Sequence, residues 1–197
     1  MGNIASIENM LKKIGVKSIV TSDPAVIAEA EKIILPGVGS FDYGMNNLNQ
    51  LGITEILKKK VLVEKTPILG ICLGMQLLTK GSEEGVLPGL GFINAQTVKF
   101  TNKQLDEEIK IPHMGWNYIE VNNKSILFDD IEEEVRFYFV HSYYVKCEEN
   151  KSVLAYTNYG KKFASVIGED NIFGVQFHPE KSHRYGMNLL KNFVELI

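Results

Sequence analysis

The sequence predicts an α/β fold in which a parallel sheet, covered on both faces, fills the N-terminal half and antiparallel strands extend it in the C-terminal half. Two observations carry that prediction. Helical and strand patterns alternate up to Gly81, as right-handed βαβ units require, and short apolar or alternating runs separated by polar turns replace them afterwards. A third, the balance of 45% hydrophobic and 23% charged residues over 197 positions, is that of one globular domain with a core sufficient without disulfides or metals.

Taken in order, Ile4, Ile7, Leu11 and Ile14 fall at helical spacing, and Gly15 stands where a helix ends. Ser18-Ile19-Val20 reads as a short β-branched strand, and Asp23-Pro24 as a helix cap followed by proline at the first helical position. Lys32 to Leu35 is the next strand, broken by Pro36-Gly37-Val38-Gly39, and Phe41 to Leu48 and Thr54 to Val63 are helical. Pro67 to Ile71 is a third strand leading into a helix from Leu73 to Thr79. Antiparallel strands are expected around 97–100, 118–121, 135–145, 164–167 and 173–177, before a C-terminal helix from about Gly186 that presents Leu189, Leu190, Phe193 and Leu196 on one side. The acidic run 129–134 and the basic run 58–60 read as solvated faces. No repeat, low-complexity stretch or linker interrupts the chain, so residues 1–197 are expected to form a single domain.

Charge and cysteine content narrow the function. With 21 Lys+Arg against 24 Asp+Glu, the net charge is −3, which offers no general basic surface to nucleic-acid phosphates. The two cysteines, Cys72 and Cys147, show no Cys-x-x-Cys spacing, which argues against a disulfide framework or a zinc site. The longest apolar runs fall far short of the ~20 residues a membrane helix needs, and no basic stretch followed by an apolar one opens the chain. A soluble, cytoplasmic protein is expected, with no metal, cofactor, nucleic-acid or membrane partner.

Three segments could carry chemistry. Gly70-Ile71-Cys72-Leu73-Gly74 lies between a strand and a helix, the pattern of a nucleophile elbow with sulfur in place of hydroxyl. A thiol there meets a helix N-terminus, which favours thiolate; the competing reading is a buried structural cysteine. Of the four histidines, His113, His141, His178 and His183, only His178 follows a clear buried strand and precedes a carboxylate by two residues, in Gln176-Phe177-His178-Pro179-Glu180. Glu180 can reach back to the imidazole and fix its tautomer. His113 and His141 read as ordinary strand or loop positions, and His183 as a solvated loop residue. Pro36-Gly37-Val38-Gly39-Ser40 is the third segment. Its glycines can turn backbone N–H groups toward an oxyanion completed by the Leu73 N–H, whereas no Gly-x-Gly-x-x-Gly or Gly-Lys-Ser/Thr continuation supports a phosphate loop. All three segments lie at strand ends, where open α/β sheets bind their ligands.

Gly70 to Gln76 and Phe177-His178-Pro179-Glu180 resemble the nucleophile and His/Glu motifs of the class I (triad) glutamine amidotransferases. Pro36 to Phe41, Pro112-His-Met-Gly-Trp-Asn117, Tyr138 to Tyr144 and Lys181-Ser182 narrow the resemblance to the subfamily of glutaminase subunits of imidazole glycerol phosphate synthase. The resemblance spans nearly the whole chain and implies a three-layer, flavodoxin-like fold. It implies Cys72 as nucleophile, His178 as acid/base and Glu180 as its orienting partner. Gln76, with Ser142 and Tyr143, would hold L-glutamine, and the backbone at Gly37, Val38, Gly39 and Leu73 would stabilise the oxyanion. Ammonia would pass to a (β/α)₈-barrel cyclase subunit in a heterodimer for histidine biosynthesis, with His113, Met114, Trp116, Asn117, Tyr138 and Lys181 facing that partner. Packing is an equally good expectation for Trp116 and Tyr143, as large aromatics are common in cores. A paralogous glutaminase supplying ammonia for surface-sugar amidation shares the same triad, and a non-catalytic regulatory subunit would require a broken one. Family members open with a short apolar strand leading to Tyr-Gly-Met-Gly-Asn. This chain passes from Met1-Gly2-Asn3 into a helix, so the first strand is expected to be missing, about eight to ten residues in all.

Overall fold

A computed structural model describes residues 4–101, 109–129 and 134–197. Helix α1 (Ile4–Lys13) buries Ile7 and Leu11 and is closed by Gly15 at φ +84°. In α2 (Pro24–Ala28) the Asp23 carboxylate accepts the Ala25 N–H at 2.9 Å, the cap that the Asp-Pro pair predicts. Helices α3 (Phe41–Gln50) and α4 (Ile53–Lys58) follow, the latter continuing as a π-helical turn over Lys59–Val63. Helix α5 (Leu73–Leu77) starts directly at a strand end, and α6 (His183–Leu196) begins three residues before Gly186.

The strands are β1 (Ile33–Gly37), β2 (Ile68–Cys72), β3 (Ala95–Lys99), β4 (His113–Val121), β5 (Val135–His141), β6 (Tyr143–Cys147), β7 (Val153–Asn158), β8 (Lys162–Glu169) and β9 (Ile172–Val175). They form one mixed sheet in the order β1-β2-β9-β8-β7-β4-β5, with β6 joining β3 to β8. β1, β2 and β9 run parallel, so the strand expected as antiparallel around 173–177 instead extends the parallel part of the sheet beside β2 and is antiparallel only to β8; the other pairs are antiparallel, as the change of pattern after Gly81 predicts. Two apolar clusters make the molecule three-layered. One packs Ile7, Leu11, Leu189, Leu190 and Phe193 of α1 and α6 under the sheet, and the other packs Phe41, Met45, Leu57, Leu73 and Met75 of α3, α4 and α5 over it.

The structure departs from the sequence reading at four further places. Residues 18–20 form no strand, and Ile19 is 79% exposed: β-branching favours an extended chain, but a strand needs a neighbour, and none of the described strands pairs with this segment. The run 135–145 is two strands, divided at Ser142. β7, whose residues Val153, Leu154 and Ala155 are all buried, had no clean alternation to announce it. Lys60 does not lie on a solvated face: its ammonium pairs with Glu64 at 2.8 Å while its stem is buried. Of the acidic run, Asp129 and Glu134 are exposed and 130–133 lie outside the described residues, as do Met1 to Asn3.

Candidate active site

The carboxyl ends of β1, β2 and β9 meet at one edge of the sheet. Gly37 is in register with Cys72, and Ile71 with Val175, so the Pro36-to-Ser40 segment, the Cys72 turn and the chain entering His178 converge there. Cys72 sits at φ +55°, ψ −109°, a conformation a non-glycine residue adopts only when its surroundings impose it. The imposing contact is α5 pressed onto the strands. A Cβ on Gly74 would lie 1.8 Å from the Leu35 carbonyl oxygen, and one on Gly70 would lie 2.7 Å from the Gly74 backbone. These glycines therefore permit close helix–strand packing, and the positive φ of the turn falls on the cysteine itself.

Three residues beyond the end of β9, His178 Nδ1 lies 2.8 Å from Glu180 Oε1, with the two side chains 5% and 2% exposed. The short helical turn Pro179–Lys181 brings the carboxylate back to the ring. Ser182 braces the turn: its hydroxyl donates to the His178 carbonyl at 2.6 Å and accepts the Tyr138 N–H at 3.0 Å, while the His178 N–H donates to the Tyr138 carbonyl at 2.9 Å. Burial alone would push the His178 pKa down, but attraction to Cys72 and then to Glu180 outweighs it and pushes the group up to about 9. His178 Nε2 and Glu180 Oε2 are buried with no hydrogen-bond partner among the described residues. An imidazolium whose Nε2 is unpartnered beside a thiol is placed to exchange a proton with whatever bonds to that sulfur. Cys147 offers no rival: burial pushes its thiol up to about 12.

Gln76 and Gln176 join the site through their carboxamides. Gln76 Nε2 donates to the Tyr143 carbonyl at 3.3 Å and to Gln176 Oε1 at 3.1 Å, and Gln176 Nε2 lies 3.9 Å from Cys72 Sγ. Gln176 escaped the sequence reading, although its place two residues before His178 in a buried strand exit was a usable signal. Gly39 holds φ +100° and Val38 is partly exposed, in the segment leaving β1 beside Cys72; Leu73 is buried at the start of α5. Ser142, which joins β5 to β6, and Tyr143, the first residue of β6, are half-buried. A cavity of about 170 Å³ is lined by Leu35, Gly37, Val38, Tyr43 and Leu73, whereas a larger hollow of about 610 Å³, lined by Glu29, Lys60, Glu64 and Pro67, lies toward the opposite ends of the parallel strands.

The outward face of β4 presents Met114, Trp116 and Tyr118, with Trp116 42% exposed. Trp116 stacks on His183 at 5.6 Å and 6°, so His183 is the exposed first residue of α6 and not a free loop histidine. The Lys181 ammonium lies 5.5 Å from the Tyr138 ring centroid. His113, expected to face a partner, is instead buried, because side chains alternate along a strand and His113 shares the inward face of β4 with Asn117 and Ile119. No described helix is long and apolar enough to cross a membrane. Among the described residues, no group of three or more His, Cys, Asp or Glu side chains could hold a metal ion.

A cysteine on a strained strand-to-helix turn, faced by a carboxylate-oriented imidazolium at the carboxyl edge of a parallel sheet, defines a class: thiol-dependent acyl-transfer proteins of α/β fold. Comparisons with known proteins narrow the class. The family model for glutamine amidotransferase class-I matches residues 1–196, and the chain belongs to that family. It is 60% identical to imidazole glycerol phosphate synthase subunit HisH 2 of Methanococcus maripaludis, over 99% of this chain and 95% of that one. It is 47% identical to the protein of the same name from Pseudomonas aeruginosa, over 100% and 96% of the two chains. Among solved structures, a glutamine amidotransferase superposes with a TM-score of 0.74 at 19% identity, over 99% of this chain and 94% of that one. A putative GMP synthase subunit from Thermoplasma acidophilum gives 0.71 at 21% identity, over 98% and 87%. These likenesses support the three-layer α/β fold.

Proposed function

We propose that this chain is the glutaminase subunit of an imidazole glycerol phosphate synthase, releasing ammonia from L-glutamine for histidine biosynthesis. The observation that carries the chemistry is the buried Cys72/His178/Glu180 arrangement, intact and polarised at the sheet edge. An unbroken triad also disfavours a purely regulatory subunit. The choice of pathway rests on full-length relatives that bear the synthase-subunit name.

In the proposed reaction the Cys72 thiolate adds to the side-chain amide carbon of glutamine, and the oxyanion is met by backbone N–H groups at Val38, Gly39 and Leu73. His178 Nε2–H gives its proton to the departing nitrogen, the C–N bond breaks, and ammonia leaves a glutamyl thioester on Cys72. Neutral His178 then takes a proton from water; the hydroxide adds to the thioester, the C–S bond breaks, and glutamate leaves. Glu180 keeps the ring in place and favours the imidazolium through both halves. The ammonia passes to a cyclase partner of (β/α)₈-barrel form, docked on the face that carries Met114, Trp116, Tyr138 and Lys181.

With its synthase partner present, Cys72→Ala should lower glutamine-dependent synthesis by at least about 1000-fold while ammonia-supported synthesis persists. Undiminished glutamine use by that variant refutes the assignment.

A further inference from the structure

Beneath the exposed face of β4 runs a line of hydrogen bonds whose direction can be assigned from both ends. At the inner end, His141 Nδ1 lies 2.7 Å from the Tyr143 carbonyl oxygen. A carbonyl only accepts, so Nδ1 carries the proton, and neutral His141 presents a bare Nε2. His113 Nδ1, 3.0 Å away, must therefore donate to it, which leaves His113 Nε2 as an acceptor 3.2 Å from Asn117 Nδ2. At the outer end the Asn117 amide is fixed independently: Nδ2 also donates to the Asn158 carbonyl at 3.0 Å, and Oδ1 accepts the Tyr118 N–H at 2.8 Å. Turning that amide over would set acceptor against acceptor at Asn158 and donor against donor at Tyr118. Both ends thus demand one polarity, with each histidine neutral and protonated on Nδ1.

The surroundings preserve that state. His113 is held between the Phe139 ring at 4.7 Å and the Tyr159 ring at 4.0 Å, both within 25° of parallel. Burial pushes His113 down to about 4 and His141 down to about 3, so neither competes with His178 for a proton at neutral pH. The line does not stop at Tyr143. Its carbonyl also accepts from Gln76, which holds Gln176, whose amide nitrogen faces the Cys72 sulfur.

We propose that His113 and His141 are positioning residues: an uncharged, one-directional relay that pins the Tyr143 carbonyl, and with it the Gln76 and Gln176 carboxamides, beside the nucleophile. The proposal rests on the glutaminase reading of the site. No contact of either ring with Cys72 enters it, and the relay's outer end is Asn117, half-buried on the inward face of β4. A change in the Asn117 side chain there is transmitted as a change in what holds Gln76.

Two measurements test it. Nitrogen-15 NMR of imidazole-labelled wild-type protein near pH 7 should find Nδ1–H and unprotonated Nε2 in both His113 and His141; an Nε2–H tautomer in either overturns the relay. In the complex with the synthase partner, His113→Phe keeps the ring stack but removes both nitrogens. It should raise the glutamine KM about ten-fold while kcat and ammonia-supported synthesis change by no more than about two-fold, as expected when the two hydrogen bonds of the His113 ring are lost and the effect falls on binding. An unchanged glutamine KM overturns the positioning role, and so does a fall in kcat alone. If His113→Phe does not fold, the wild-type tautomers decide. A wild-type complex with no Cys72-dependent glutamine hydrolysis would remove the glutaminase reading, a failure visible without either histidine variant.

Discussion

Two clusters of buried histidine lie close together in this molecule and are handled in opposite ways. His178 is pushed up to about 9, whereas His113 and His141 are pushed down to about 4 and 3. Burial acts downward on all three; the difference is what each ring faces. His178 faces a carboxylate and a thiol, so charge is stabilised where a proton has to move. His113 and His141 face each other, an amide and a carbonyl, so charge is excluded where geometry has to hold. Desolvation alone therefore does not make a histidine inert or reactive; the partner on each nitrogen does.

The most damaging change to the charged cluster, after loss of Cys72 itself, is expected at its orienting carboxylate. Glu180→Gln should lower glutamine hydrolysis by roughly 100- to 10,000-fold with little change in glutamine KM, since the variant leaves the ring in place but no longer favours its cation. Steady-state kinetics in the complex check this, and a variant within about three-fold of wild type would place the catalytic carboxylate elsewhere.

The next effect probes the scaffold beneath the nucleophile. Gly74→Ala drives a Cβ to 1.8 Å from the Leu35 carbonyl oxygen, so α5 has to lift from β1. A loss of about 1–3 kcal/mol is expected in denaturant unfolding, the usual range for overpacking. Unchanged stability would mean that the close seating of α5 is not what holds Cys72 at positive φ.

The smallest effect separates the two clusters by pH. A folded-state pKa raised from 6.5 to about 9 gives His178 a stabilising contribution that is full below pH 6.5 and lost as pH rises through 9. The lowered values of His113 and His141 work the other way: stability is lost as pH falls below 6.5 toward 4, because the unfolded chain takes up protons that the folded one refuses. Thermal melts should show His178→Gln flattening the alkaline limb and His113→Phe flattening the acid limb. Identical pH profiles for the two variants would contradict the distinction.

What the sequence disclosed follows the same division. Cys72, His178 and Glu180 were readable because each sits in a local motif whose turn chemistry is written in adjacent residues, glycine on either side of the cysteine and proline between histidine and glutamate. The relay was not readable, because Asn117 and His113 come from β4, His141 from β5 and Gln76 from α5, and only the strand register brings them together. The same limit placed His113 on a partner surface: a motif names residues without saying which face of the strand each one takes. The parallel core was legible from its βαβ alternation. Residues 18–20 were misread because strand propensity is expressed only beside a pairing edge.

The central claim, that Cys72 is the nucleophile toward glutamine, is tested most directly by covalent labelling. In the complex with the synthase partner, a glutamine analogue carrying a chloroketone in place of the side-chain amide should alkylate Cys72 once, lose chloride, and be blocked by excess glutamine. Peptide mass spectrometry should find the adduct on Cys72 and none on Cys147. Labelling at Cys147 instead, or labelling of Cys72 that glutamine does not slow, would contradict the account.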